Sequence, residues 1–511
     1  MVGAPHRHDR KGCRQHLVLA TCAVCSRCDR LSMPTSVAST ALVGIDGVPV
    51  EVEVDVAPGI PATRIVGLPD TAVGEARERI RSAIRAAGYT WPARRITINL
   101  APADLRKSGG SFDLAIAIGI LLASGQIRHR GKGTLAAIGE LALDGRVRNV
   151  PGALPLALPL LSAGHRVLLP ASVAALPGLC GGEVIPVGTL ADAALAVEGG
   201  VVGAQLSPEN ALTTAPSVDV TCELASIRGQ PIATRAVLIA ACGRFPILLE
   251  GPPGVGKSML ARALHEILPD LTGEEHSEVA SIASAGGHST ELSVRPPLRA
   301  PHHDITVAGL IGGGPRMMPG ELTWAHRGLL LLDEIGEFRR DSLEALREPL
   351  ERGSVDLVRA GRSVRFPADA IVAATGNPCG CGELEHPSGT CRCLPAARRR
   401  GSLSLSAPIR DRFPLRVRLA RPSTPLAALP RGELTTLTAR ERATSVRAAL
   451  VQQPAHPDGM TGATRRTVDG LGVRAWSQIE RVATVVALLD GRDVVGDADV
   501  AEAIHLHGDH W

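Results

Sequence analysis

The stretch "FPILLEGPPGVGKSMLARALHEIL" (residues 245–268) restricts this chain more than any other. An apolar run ends in a glycine turn, and the turn opens directly into an amphipathic helix. Gly251, Pro252, Pro253, Gly254, Val255, Gly256, Lys257 and Ser258 satisfy the spacing G-x-x-x-x-G-K-[ST]. Glycines let successive backbone N–H groups wrap phosphate oxygens, and the N-terminus of the following helix adds its dipole. Lys257 is expected to reach the β- and γ-phosphates of ATP, and Ser258 to ligate Mg²⁺. The bland alternative is a glycine turn ahead of a core helix. It accounts less well for a strand and a helix both in register with the loop. An apolar strand feeding such a loop belongs inside a parallel sheet, so the chain reads as α/β.

Two further strands fit that sheet. "GLLLLDEIGEF" holds four consecutive leucines, the pattern of a strand buried on both faces. It ends in Asp333, suited to the Mg²⁺ shell, and Glu334, suited to polarising a water. An acidic pair at a strand end is weak alone and strong beside a phosphate loop. "ADAIVAATGNP" ends at Asn377, whose amide is placed to orient a lytic water between loop and acid. "APIRDRFPLRVRL" then puts Arg410 and Arg412 before one more strand, where a solvated basic turn is the alternative.

The chain has 511 residues, too many for one core. Residues 1–38 read as a disordered leader, although Cys22, Cys25 and Cys28 stand at Cys-x-x-Cys-x-x-Cys spacing. Residues 39–205 alternate strands and helices. "VPVEVEVDVAP" has strand alternation, and "DTAVGEARERIRSAIRAAG" is an amphipathic helix between Asp70 and Gly88. Residues 206–221 read as a linker, 222–422 as the nucleotide-handling block and 423–511 as a helical tail. A net charge of +4 neither demands nor excludes nucleic acid. No apolar run approaches the roughly 20 residues that span a bilayer, and the cysteines do not form a secreted disulfide framework. A cytoplasmic protein with no membrane partner is expected.

Cys379, Cys381, Cys391 and Cys393 give Cys-x-Cys-x₉-Cys-x-Cys, the count for a small tetrahedral zinc site. Reduced, unliganded cysteines on a glycine-rich loop remain the alternative. His386 lies inside that loop, and an arginine run, Arg398–Arg400, follows it. His302 and His303 lack the i, i+4 spacing of a helical zinc pair. Residues 274–320 read as an insertion between the phosphate loop and the acidic strand.

The segments "RPPLRAPHHDITVAGLIGGGPRMMPGELTWAHRGLLLLDEIGEF" and "NPCGCG…CRC" resemble the YifB/ComM family of magnesium-chelatase-like AAA+ ATPases. The resemblance runs over residues 41–505. It implies an AAA+ P-loop core, a parallel sheet flanked by helices, with an N-terminal Lon-protease-like α/β domain and a small C-terminal all-α lid. It implies that ATP is bound and hydrolysed by Gly251–Ser258, Asp333, Glu334 and Asn377. Arg412 is then the arginine finger and Arg474 the second sensor. It further implies a homo-hexamer acting on single-stranded or branched DNA, as ComM-like branch-migration helicases do in DNA uptake, alongside recombination proteins. Two alternatives need no nucleic acid: a magnesium-chelatase-type motor subunit and a protein remodeller. The tail departs from the pattern at Thr484. Within the Lon-like block, "RKSGGSFDL" puts Ser111 where a nucleophile would lie, but Leu154 stands where the partner lysine should be. A serine with no amine to take its proton is not activated, so a non-peptidase collar is expected.

Overall fold

The computed structural model describes residues 35–68, 71–105, 107, 109–131, 133–174, 182–202, 222–287, 293–315, 317–359, 362–379, 381, 391–394, 405–452, 456–459 and 472–508. The linker, Asp70, His386 and Arg398–Arg400 lie outside the described residues, as does all of the leader except its last four positions. Those four belong to a strand. β1 (Thr35–Val43) begins ahead of the expected domain start at residue 39, because Thr35 already pairs with Val54 across the antiparallel ladder.

The N-terminal domain is built on seven strands. They are β1, β2 (Asp46–Ala57), β3 (Ala62–Val66), β4 (Arg95–Ala101), β5 (Leu135–Ala137), β6 (Arg166–Pro170) and β7 (Glu183–Val187). Their order across the sheet is β3-β4-β2-β1-β5-β6-β7. β2 shows why the sheet has an inner and an outer face. Val50, Val52, Val54 and Val56 are buried, while Glu51, Glu53 and Asp55 alternate with them. Of its helices, α1 (Thr71–Ala86) packs on α2 (Asp113–Ala123), which is apolar on every side after Asp113 and buried accordingly. α3 (Ala153–Ser162) crosses β1 and β2.

The second unit has a five-stranded, wholly parallel sheet of β8 (Ile247–Glu250), β9 (Leu298–Arg299), β10 (Leu329–Leu332), β13 (Ile371–Gly376) and β14 (Leu415–Arg418). The hairpin β11 (Ser354–Arg359) and β12 (Arg362–Pro367) stands apart from it. The order is β9-β10-β13-β8-β14, so the strand ending near Asn377 lies between the phosphate-loop strand and the acidic strand. Every leucine of β10 is buried, as a strand covered on both faces requires. Helices α4 (Pro231–Gly243), α5 (Lys257–Ile267), α6 (Gly273–Ala285), α7 (Arg347–Arg352) and α8 (Ala407–Arg410) accompany the sheet. Residues 274–320 are therefore not simply an insertion. They supply most of α6 and the edge strand β9, paired with β10 at Leu298–Leu329, and hydrogen bonding to that strand fixes their path.

The lid holds α9 (Thr436–Gln452), α10 (Val473–Leu489) and α11 (Asp497–His507), with one short parallel pairing of β15 (His456–Gly459) and β16 (Val494–Gly496). Ala443, Ile479, Val482 and Val486 of the lid share one apolar cluster with Ala236, Val237 and Ile239 of α4. Lid and sheet are thus joined by a common core. Among the described residues no helix is long and apolar enough to cross a membrane.

Among the described residues the N-terminal domain meets the second unit at the start of α3 and at the β1–β2 turn. At the start of α3, the Gly152 N–H donates to the Ser284 carbonyl of α6 at 2.7 Å, and the Leu154 N–H to Ser284 Oγ at 3.3 Å. At the β1–β2 turn, Gly44 has φ +66°, and a Cβ there would lie 2.3 Å from Val364 Cγ1 of β12. Both the backbone conformation and the close approach call for glycine.

Candidate active site

Three strand ends converge at one edge of the parallel sheet. Glu250 of β8 lies beside Gly376 of β13, and Leu332 of β10 lies beside Ala374, so Gly251, Asn377 and Asp333 all leave the sheet together. The turn closes at Gly256, φ +96°, which caps α5 in a left-handed conformation that a side chain rarely adopts. Lys257 Nζ donates to the carbonyls of Gly251 and Pro252, both at 2.9 Å, and to Asn377 Oδ1 at 3.0 Å. Burial lowers the Lys257 pKa, while the Asp333 and Glu334 carboxylates work against that shift.

On the other side of the loop, Ser258 Oγ donates to Asp333, 3.0 Å from Oδ1 and 3.2 Å from Oδ2. Asp333 also accepts from Thr375 Oγ1, and that same hydroxyl accepts the Glu334 N–H at 3.0 Å. Glu334 is exposed and left-handed, φ 55° and ψ 53°. Non-glycine residues hold that conformation at a cost of about 1–3 kcal/mol, and here the Thr375 contact pins it. Sequence reading missed Thr375. It is a buried β-branched residue in an apolar strand, where threonine ordinarily fills space. Its only signal is a hydroxyl two positions before Asn377.

A cavity of about 640 Å³ opens beside the loop, between Gly254, Gly256 and Met259 on one wall and Ile227, Gln230 and Pro422 on others. That volume falls within the range of small-molecule sites. Gln230 Nε2 donates to the Ala420 carbonyl at 2.8 Å and steadies one wall. Nothing in the spacing of residues 226–230 and 421–427 announces this cavity, because it forms only when α4 and the end of β14 meet.

The two arginines are elsewhere. Leu415 pairs with Ile247 in the parallel β8–β14 ladder, so Arg412 precedes the edge of the sheet opposite the phosphate loop. With about 3.3 Å of rise per residue, β8 alone separates the two edges by about 10 Å. Arg412 Nη2 donates to Glu351 Oε2 at 2.5 Å, and Arg474 Nη2 to Glu351 Oε1 at 2.5 Å. Gln478, one turn after Arg474, donates from Nε2 to the Asp411 carbonyl at 2.8 Å. Lys257, Ser258, Asp333 and Asn377 thus lie at one edge of the sheet, and Arg412 with Arg474 lies toward the other.

Beyond Asn377 the cysteines come together. The sulfurs of Cys379, Cys381 and Cys391 are 3.4, 3.7 and 3.6 Å apart, and all four, Cys393 included, lie within 4.8 Å of one another. His302 and His303 stand next to each other with Asp304 on one loop, with His302 and Asp304 exposed. In the N-terminal domain Ser111 is buried in the turn before α2, and that helix has no side-chain cap. Leu154 is fully buried within α3.

Two family models match the chain. One, described as magnesium chelatase, subunit ChlI, covers residues 223–425. The other, described as subunit ChlI of Mg-chelatase, covers residues 52–172. YifB of Escherichia coli is 36% identical over 485 residues, 91% of this chain and 95% of that protein. Competence protein ComM of Haemophilus influenzae is 35% identical over 495 residues, 91% of this chain and 96% of that one. A shorter match of 140 residues is 32% identical to Lon protease 2 of Bacillus subtilis, 26% of this chain and 25% of that one.

Proposed function

The chain belongs to the YifB/ComM family of magnesium-chelatase-like AAA+ proteins, and on that footing we propose that it is an Mg²⁺-dependent ATPase that works as a ring on DNA. The observation that carries the ATPase reading is the pair of hydrogen-bonded links at one sheet edge, Lys257 with Asn377 and Ser258 with Asp333 and Thr375. Ser258 and Asp333 offer the hard oxygen donors that Mg²⁺ prefers, close enough together to share one ion. The ion supplies charge neutralisation for phosphoryl transfer. Lys257 binds the phosphates, Glu334 takes the proton of the attacking water and Asn377 holds that water in line. The cavity beside Gly254 and Gly256 receives the base and sugar.

The position of Arg412 supports the ring. A guanidinium at the opposite sheet edge does not serve its own phosphate loop, so it completes the site of a neighbouring protomer. Action on DNA, in uptake or recombination, is favoured by the extended similarity to competence protein ComM. The experiment is ATP hydrolysis by the purified full chain, with and without single-stranded and branched DNA, over a range of protein concentrations. Hydrolysis that rises steeply with concentration and is accelerated by DNA is expected. Hydrolysis indifferent to every DNA form removes the DNA part in favour of a chelatase-type motor or protein remodeller. No hydrolysis in any assembly removes the whole reading.

The four cysteines form a structural zinc site in this reading. A Zn–S bond of about 2.3 Å gives a tetrahedron with edges of about 3.8 Å, close to the sulfur separations here. Zinc would tie the chain leaving Asn377 to the segment that returns toward Arg412. Metal analysis of the protein is the check: about one zinc per chain that Cys391→Ser abolishes, against none in the unmodified chain.

A further inference from the structure

Glu351 lies near the end of α7, next to the hairpin, and its carboxylate accepts from two guanidiniums at once, one per oxygen. One comes from the turn before β14 and the other from the first turn of the lid helix α10. Arg412 is nearly buried, with its side chain 10% exposed, whereas Arg474 and Glu351 are about half exposed. A second bond from Arg412 Nε to the Arg347 carbonyl, at 3.3 Å, fixes the plane of that guanidinium. The Gln478–Asp411 contact brings the Arg474 face of the lid against the same turn.

The Arg474–Glu351 pair, about half exposed on both sides, adds only about 0–1 kcal/mol to stability. Holding the fold is therefore not what this arrangement does best. Two cations brought together repel, and a carboxylate between them removes the repulsion and sets their spacing. Phosphoryl oxygens accept from guanidiniums in the same charge-assisted manner. The donors that a γ-phosphoryl group would meet are already gathered around one anion.

We propose that Glu351 is a positioning residue of the composite site. It holds Arg412 and Arg474 side by side, so that both guanidiniums reach a neighbouring protomer's triphosphate as a pair. This rests on the shared-site reading above. Glu351→Ala leaves the phosphate loop untouched and lets the two arginines separate. The turnover number is expected to fall about a hundredfold, the scale of a small misplacement of a catalytic group, with little change in KM for ATP. Glu351→Gln keeps the size, loses the charge and should fall in between.

Mixing full-length variants at fixed total concentration tests the assignment. Lys257→Ala with Arg412→Ala should recover hydrolysis, because intact loops of one variant meet intact arginines of the other. Lys257→Ala with Glu351→Ala should recover for the same reason. Arg412→Ala with Glu351→Ala should not, since both defects lie on the arginine side of every interface. Recovery in that last mixture, or a wild-type turnover number for Glu351→Ala, overturns the proposal and leaves the shared site standing. No recovery in the first mixture removes the shared-site reading itself. Glu351→Gln, isosteric and half exposed, carries the same mixtures where the alanine variant does not assemble.

Discussion

The N-terminal domain and the ATPase core are both α/β units in which a glycine turn leads into a buried helix, yet their polar groups are disposed oppositely. In the core, Lys257, Ser258, Asp333 and Asn377 follow the ends of apolar strands, and together with Thr375 inside β13 they make a bonded group at an open edge. In the N-terminal domain the corresponding groups are consumed by the fold. Asp113 accepts Arg79 at 2.9 and 3.2 Å and the Leu141 N–H at 3.3 Å. Burial holds its carboxyl up at about 6, against the pull of that guanidinium. Lys107 is fully buried and gives its ammonium to the Pro102 carbonyl. Leu154 is core, and its backbone N–H goes to Ser284 of the neighbouring unit. A glycine turn and a sheet do not make a site; polar groups left at an accessible edge do.

The sharpest way to break this contrast is Arg412→Ala. An arginine finger is worth about 10³–10⁵ in rate, so hydrolysis should collapse while nucleotide binding and ring assembly persist. Binding by fluorescent nucleotide and native mass measurement report the two properties separately. If hydrolysis were unchanged, the active site would be complete within one protomer and the ring reading would fall.

Thr375→Val comes next. The valine fills the same space in β13 and removes the hydroxyl that joins Asp333 to the Glu334 N–H. A loss of about 10²-fold in turnover is expected, comparable to removing one preorganised donor, with thermal stability little changed. A fall in stability without a matching fall in turnover would make Thr375 a packing residue.

Much of this site was legible in the sequence, because its logic is local. The phosphate loop, the Leu329–Leu332 run with its acids, and Asn377 are each a strand followed by a polar residue. What was not legible depends on pairing between distant segments. The partnership of Glu351 with Arg412 and Arg474 requires α7, the turn before β14 and the lid to meet. The cavity beside the phosphate loop needs residues near 227 and 422 to face one another. The edge strand β9 is only two residues long, so alternation could not reveal it inside residues 274–320. That Leu154 stands where the resemblance expects a lysine was legible. Its docking role was not, since only the fold brings Ser284 to it.

Gly44→Val tests whether the N-terminal domain works by docking. The left-handed backbone and a Cβ 2.3 Å from Val364 Cγ1 together predict a loss of about 1–3 kcal/mol at that contact. Hydrogen exchange should quicken in the hairpin Ser354–Pro367 before it does in β10, with basal hydrolysis reduced less than by Thr375→Val. Unaltered exchange in the hairpin would show that the turn and hairpin are not coupled in solution.

Ser111→Ala should change least, and its null result carries meaning. The residue is buried, its carbonyl accepts the Gly139 N–H at 3.1 Å, and that backbone bond survives the substitution. Only a hydroxyl is removed, in a turn whose following helix takes no cap from it, so a stability change of no more than about 1 kcal/mol is expected. ATP hydrolysis should stay at the wild-type rate. Neither protein should cleave an unstructured peptide, with or without ATP, because the position where the resemblance expects a proton-accepting amine holds a buried leucine, Leu154. Peptide cleavage by the wild type that disappears in Ser111→Ala would mean that another base, Lys107 first among the described residues, reaches the hydroxyl. The contrast between a reactive core and an inert N-terminal domain would then dissolve.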